Sequence, residues 1–80
     1  MNREEIFIKV QDIFRDIFDD ISLEISDLTN ANDIEDWDSL EQISILVAIE
    51  KEFGIKFSID DVEQLENVGQ TIDVVERKLT

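Results

Sequence analysis

The stretch Asp36-Trp37-Asp38-Ser39-Leu40-Glu41 marks the start of an apolar-rich helix after a long polar segment. Asp38 and Glu41 have the spacing of a capping box, so a helix is predicted to begin with Ser39 in its first turn. Backbone N–H groups there are unpaired and the helix dipole favours anions, so a phosphate ester on Ser39 would be tolerated. Serine is common at helix starts, and its position alone favours a purely structural role.

The helix predicted from Ser39 to Phe53 has more apolar residues than one buried face requires. At about 100° per residue they fall on two roughly opposite sides of the helix. One side has Ile45, Leu46, Ile49 and Phe53, and the other has Leu40, Ile43 and Val47. A chain of 80 residues cannot easily bury both sides, so the second side is predicted to be a contact surface. The alternative is a central helix that its neighbours bury on both sides.

Length and composition predict one small domain spanning residues 1–80. Seven basic residues against 21 acidic ones give a net charge of −14. Such a field repels nucleic acid and anionic membrane surfaces and attracts partners with basic patches. We therefore expect that the chain binds no nucleic acid and does not insert into membranes. We also expect a monomer.

The chain has no cysteine and no histidine. It cannot supply thiol chemistry, and it lacks the usual general base and the commonest metal ligand. Catalysis by this chain alone is therefore not expected. The start Met1-Asn2-Arg3-Glu4-Glu5 has no signal-peptide character, and no stretch is long enough to span a bilayer, which predicts a soluble cytoplasmic protein.

Apolar residues recur at helical spacing from Arg3 to about Ile21 and predict a first amphipathic helix. The periodicity then breaks down between Ser22 and Trp37, which predicts a long loop. Four apolar residues are expected to pin this loop over the helices: Leu23, Ile25, Leu28 and Ile34. The oxygen-rich run in the loop lacks the glycine and ligand spacing of an EF-hand, so no dedicated metal site is predicted.

Trp37 precedes the Asp38-Ser39 pair, and two interpretations of it remain open. The indole could line a site around whatever Ser39 carries, or it could anchor the end of the loop against the helices.

The remainder of the chain predicts one short helix and one longer helix. Gly54 is placed as a helix C-cap, and the alternating residues after it do not form a sheet for want of a partner strand. Ser58 or Asp60 is expected to cap a short helix to about Leu65, with Val62 and Leu65 facing inward. A second capping-box candidate at Asn67–Gln70 opens a last helix to about Leu79, whose inward face is Ile72, Val75 and Leu79. The predicted fold is all-α: a small antiparallel bundle of three main helices plus one short helix, with a long loop between the first and second helices.

Three features together resemble the acyl carrier proteins and the wider class of phosphopantetheine-dependent carrier domains. They are Asp38-Ser39-Leu40, the apolar helix that ends Ala48-Ile49-Glu50-Lys51-Glu52-Phe53-Gly54-Ile55, and the capped final helix. The resemblance covers nearly the whole chain in length, helix order, long first loop and acidic character.

The resemblance implies that a separate phosphopantetheinyl transferase attaches 4′-phosphopantetheine from coenzyme A to Ser39, within an attachment motif that includes Asp38 and Leu40. The chain would then be a non-catalytic carrier that delivers an acyl thioester to acyl-handling enzymes of a fatty-acid, polyketide or specialised biosynthetic pathway. The same resemblance assigns partner binding to the apolar residues Leu40, Ile43 and Val47 and the acidic residues Glu41 and Glu50.

Several residues depart from the pattern of carriers in fatty-acid synthesis. Ser44 stands where those carriers usually have an acid, Lys51 interrupts the acidic cluster, and Trp37 replaces a smaller residue. These departures favour a stand-alone carrier in a specialised pathway. Two alternatives stay open: a discrete aminoacyl or peptidyl carrier, and an unmodified acidic adaptor that docks a partner through its second helix.

Overall fold

The computed structural model describes residues 1–79, and this part of the chain contains four helices and no strand. They are α1 (Arg3–Ile17), α2 (Ser39–Phe53), α3 (Ile59–Glu63) and α4 (Val68–Leu79). Helix α1 packs against both α2 and α4. Helix α3 is short and lies between α2 and α4 in the chain. The predicted fold, with three main helices, one short helix and a long first loop, is confirmed.

The core is formed where α1, α2 and α4 meet. Its buried residues are Ile6, Val10, Phe14, Ile25, Ile45, Ile49, Val68, Ile72 and Val75. Each fully buried side chain of this size contributes about 1.5 to 3 kcal/mol relative to an exposed one. Leu79 was expected on the same inward face but is 36% exposed, because it lies in the last turn of α4, beyond the core.

Helix α1 ends four residues earlier than the periodicity predicted, at Ile17 instead of Ile21. Asp19 adopts a left-handed conformation with φ of 51°, and the Asp20 carboxylate accepts bonds from the hydroxyl and N–H of Ser22, at 2.6 and 3.0 Å. These local bonds compete with helical backbone bonding. The bond from the Ser22 hydroxyl also holds the pKa of Asp20 below its ordinary value. Ile21 is consequently 91% exposed.

Apolar contacts and hydrogen bonds both fix the long loop between α1 and α2. Leu23 and Ile34 are partly buried and pack against the core, as predicted. Ile25 is buried and its N–H donates to Gln11 Oε1 at 3.0 Å, whereas Leu28 is 79% exposed and does not pin the loop as predicted. The carbonyls of Asp27 and Thr29 accept from the N–H groups of Gly69 and Val68, at 2.8 and 2.9 Å. The loop thus satisfies backbone donors at the start of α4 that would otherwise lack partners.

Arg3, at the start of α1, connects this loop to α4. Its guanidinium forms ion pairs with Asp27 of the loop and with Asp73 and Glu76 of α4, and it donates to the Gly69 carbonyl at 3.3 Å. Exposed pairs are individually weak, but a network on one planar guanidinium fixes the relative position of three segments.

Helix α3 is held by polar contacts at its ends and buries no residue. Ser58 and Asp61 form a capping box, and Lys78 of α4 pairs with Asp61 at 2.9 Å. The bonds from Ser58 and Lys78 lower the pKa of Asp61 to about 2. Val62 was predicted to face inward but is 39% exposed, because a five-residue helix is too short to set a buried face of its own.

We expect Gly69→Ala to destabilise the protein, although glycine-to-alanine changes within a helix are normally stabilising. A Cβ at Gly69 would lie 2.8 Å from the backbone oxygen of Asp27, which cannot move without disrupting the bonds between the loop and α4. The free energy of unfolding should fall by about 1 to 3 kcal/mol, as measured by chemical denaturation. An unchanged or raised melting temperature would contradict this close approach.

Candidate functional site

Asp38 fixes the start of α2 and the position of Ser39. Its carboxylate accepts from the Glu41 N–H at 2.9 Å, as predicted. The reciprocal half of the predicted capping box is replaced, because the Asp38 N–H donates to the Asp36 carbonyl at 3.1 Å. Ser39 is the first residue of the helix and is exposed, so its hydroxyl lies at the positive end of a 15-residue helix dipole.

Trp37 anchors the end of the loop, as one of the two interpretations predicted. Its ring meets that of Phe14 edge-on, with centroids 5.1 Å apart, and so anchors the end of the loop to the core. Its indole Nε1 donates to Gln42 Oε1 at 2.7 Å. Trp37 also lines the cavity beside Ser39, and its contact with whatever Ser39 carries stays a prediction.

A cavity of about 520 Å³ opens beside Ser39, between the start of α2 and the segment from α3 to α4. Besides Trp37 and Gln42, its lining includes Ile43, Val62, Leu65, Asn67 and Thr71. A larger cavity of about 580 Å³ lies against α3 and α4, but its lining has no hydroxyl group: Glu63, Gln64, Leu65, Glu66, Gln70, Asp73, Val74 and Arg77. Only the smaller of these two adjoins a hydroxyl at a helix start.

Gln42 and the residues of α3 and α4 were absent from the sequence prediction of this site. Gln42 lies one turn after Ser39, and that helical spacing is a signal that could have identified it. Val62, Leu65 and Thr71 reach the cavity only through the packing of α3 and α4, which no local pattern indicates.

The two apolar sides of α2 have different environments. Ile45, Leu46 and Ile49 are buried, while Leu40, Ile43 and Val47 are 68%, 59% and 42% exposed. The alternative of a helix buried on both sides is therefore wrong. We call the exposed side, made of Leu40, Ile43 and Val47, the α2 stripe.

The two acidic residues predicted beside this stripe, Glu41 and Glu50, differ in their contacts. Glu41 lies in the first turn of α2 and is partly exposed. Glu50 has a structural contact that was not predicted, because its carboxylate accepts from the Phe57 N–H at 2.8 Å and holds the connection between α2 and α3.

Two basic residues near the end of the stripe form no ion pair within residues 1–79. Lys51 and Lys56 are exposed and line a cavity of about 340 Å³ with Val47 and Glu50. The stripe therefore runs from an acidic start to a mixed-charge end.

A small acidic helical bundle with an exposed serine at the start of its second helix is the arrangement of a carrier domain. The family model described as "Phosphopantetheine attachment site" matches residues 8–75. An acyl carrier protein of Guillardia theta is 38% identical over 80 residues, covering 99% of this chain and 98% of the relative. One of Thermotoga maritima is 36% identical over 81 residues, covering 98% and 96%.

A solved structure supports the same relationship. The solution structure of a holo acyl carrier protein from Geobacter metallireducens superposes with a TM-score of 0.86 at 40% identity, covering 91% of this chain and 84% of that one. The chain belongs to the acyl carrier protein family, and 4′-phosphopantetheine is its covalent cofactor.

The residues around Ser39 fit this group. The hydroxyl is exposed, the helix start favours the negative charge of a phosphodiester, and the adjoining cavity has both polar and apolar walls. None of the four helices in residues 1–79 has the length and apolarity that a bilayer crossing requires.

Asp38→Ala should lower the free energy of unfolding by about 1 kcal/mol, because the Glu41 N–H loses its acceptor at the start of α2. Asp36→Ala is the matched control, since Asp36 is exposed and contributes its backbone carbonyl. Chemical denaturation of both variants measures the difference. Equal losses would show that the Asp38 side chain does not cap the helix.

Proposed function

We propose that Ser39 is the attachment point of 4′-phosphopantetheine and that the chain carries an acyl group as a thioester to partner enzymes. The observation that carries this proposal is the exposed Ser39 hydroxyl at the capped start of α2, beside a cavity. The chain acts as a substrate of its partners and does no chemistry of its own.

In the attachment step, a phosphopantetheinyl transferase directs the Ser39 oxygen at the phosphorus of coenzyme A that bears the pantetheine. A bond forms between this oxygen and the phosphorus, and the pyrophosphate bond breaks. The leaving group is adenosine 3′,5′-bisphosphate, and the serine proton passes to a base of the transferase. Asp38 supports this step indirectly, by holding the serine at the helix start. The attached phosphopantetheine arm ends in a thiol, which a chain without cysteine lacks.

An acyl cargo is favoured over an aminoacyl one because the relatives described above are named acyl carrier proteins. The pathway we infer is fatty-acid, polyketide or specialised biosynthesis, and Ser44 and Lys51 favour a specialised pathway. Incubating the chain with acyl-activating and with aminoacyl-activating enzymes would separate the two cargoes. We also infer a monomeric cytoplasmic protein whose residues 1–80 act as one domain.

The α2 stripe is the surface on which partners would dock, with Glu41 steering enzymes that have basic patches. A chain of net charge −14 attracts such patches over long range, which raises the encounter rate more than the affinity. The contacts should be transient, as delivery to successive enzymes requires. An unmodified adaptor would use the same exposed stripe, and the serine variant below separates the two functions.

Ser39→Ala should abolish the mass increase of one phosphopantetheine after incubation with coenzyme A and a promiscuous transferase. Ser44→Ala is the matched control, since Ser44 is an exposed serine of the same helix. Intact-mass spectrometry reads the result, and an unchanged melting temperature shows that the fold is retained. Modification of Ser39→Ala, or none of the wild type under conditions that modify a known carrier, would overturn the attachment. Full cellular function of Ser39→Ala would support the adaptor.

Paired replacement of Leu40 and Val47 by alanine should lower kcat/KM for modification by the transferase about tenfold, because docking loses two apolar contacts. Neither residue belongs to the buried core, so the free energy of unfolding should change by less than about 0.5 kcal/mol. Ile8→Ala removes an apolar side chain that is 52% exposed on α1 and is the control. An equal loss of kcat/KM in the control would contradict a specific surface on α2.

A further inference from the structure

The indole of Trp37 forms a partition between the cavity beside Ser39 and the buried core. One part of the residue lines the cavity, and its ring meets the core residue Phe14 edge-on at 5.1 Å between centroids. Phe14 itself is only 2% exposed. Access from Ser39 to the core along this direction is therefore blocked by one aromatic ring.

Gln42 holds this ring in place. The Trp37 Nε1 donates to Gln42 Oε1 at 2.7 Å, and both residues are half-buried and line the cavity. Separating them would exchange this bond for weaker contacts with water, next to apolar cavity walls, which is unfavourable. The bond thus resists any displacement of the indole towards the core.

The two sides of the partition differ in what they offer to an apolar tail. Outside it, Ile43, Val62 and Leu65 form an apolar wall within reach of Ser39, and no bond has to break for a tail to lie on them. Inside it, the core residues Ile45 and Ile72 are 2% and 0% exposed. A tail entering the core would have to break the Trp37–Gln42 bond and displace close-packed side chains.

We propose that the Trp37–Gln42 pair is a specificity determinant that confines the cargo to the outer cavity, so that the carrier shelters short acyl chains and leaves long ones in solvent. This inference rests on the proposed attachment at Ser39. The ligand class is a short acyl thioester whose tail lies on Ile43, Val62 and Leu65, in a cavity of about 520 Å³. A longer tail extends past this wall into water.

The test compares wild type with Gln42→Leu, which keeps the side-chain size and removes the acceptor. Both are loaded by a promiscuous transferase from a series of acyl-coenzyme A compounds, from butyryl to palmitoyl, and intact mass confirms each product. The rate of thioester cleavage by hydroxylamine, relative to the same acyl-coenzyme A, measures shelter. Wild type should slow cleavage of short chains only, and Gln42→Leu should slow cleavage of the palmitoyl thioester about fivefold more than wild type, as expected for one lost hydrogen bond.

Trp37→Phe is the second variant, because it keeps an aromatic ring against Phe14 and removes the donor. If Gln42→Leu fails to melt cooperatively, Trp37→Phe tests whether the Trp37–Gln42 bond limits the chain length that is sheltered. Gln64→Leu makes the same chemical change at an exposed residue outside this cavity, and its chain-length dependence should match wild type.

The single tryptophan of the chain gives a further readout that a merely structural role would not move. Loading wild type with butyryl or hexanoyl groups should shift Trp37 emission to shorter wavelength, because the tail replaces water against the indole. Loading with the unacylated arm should shift it less.

The outcomes separate the two proposals. Absence of any mass gain in wild type overturns the attachment at Ser39 and this inference with it. Full loading of all variants with one and the same chain-length dependence overturns the inference alone, as does a palmitoyl group sheltered by wild type as well as a short one.

Discussion

The bond from the Asp38 carboxylate to the Glu41 N–H determines where α2 begins, and the functional features of the chain are positioned from that residue. It places Ser39 in the first turn, at the positive end of the helix. The side of α2 that faces the core is set by the burial of Ile45 and Ile49, which contributes more than the roughly 1 kcal/mol of one cap. The cap and the buried side agree, so Ser39 lies at the helix start while Leu40 and Val47 face solvent.

The charged residues around this helix fall into two groups, one paired across segments and one left unpaired at the start of α2. Arg3, Lys9 and Lys78 each pair with acids that belong to other segments, and so hold the bundle together. Within residues 1–79, no ion pair involves the acids at the start of α2, so no neighbouring cation neutralises their field. A net charge of −14 is tolerated because most acidic side chains are exposed and screened by water and salt.

Much of this architecture could be predicted from sequence, because α2 and α4 have strong helical periodicity and clear capping residues. The two sides of α2 follow from angle alone, and the position of Ser39 follows from the spacing of Asp38 and Glu41. The predicted end of α1, at about Ile21, was wrong. The bonds between Asp20 and Ser22 compete with helical bonding there, although Ile21 continues the apolar periodicity. The exposure of Leu28 and Val62 and the contact of Gln42 with Trp37 depend on how segments distant in sequence pack, which periodicity does not encode.

The cavity beside Ser39 has one rigid wall and one lightly held wall. Its inner wall is Trp37, which is bonded to Gln42 and packed on Phe14 of the core. Its outer wall includes Val62 of α3, a helix that buries no residue. That helix is held by Ser58, by the Lys78–Asp61 pair and by the Glu50 bond to Phe57, all of them polar contacts near its ends. Because segments with few buried apolar contacts open most readily, α3 is the part of this wall expected to open first, while Trp37 and the core stay in place.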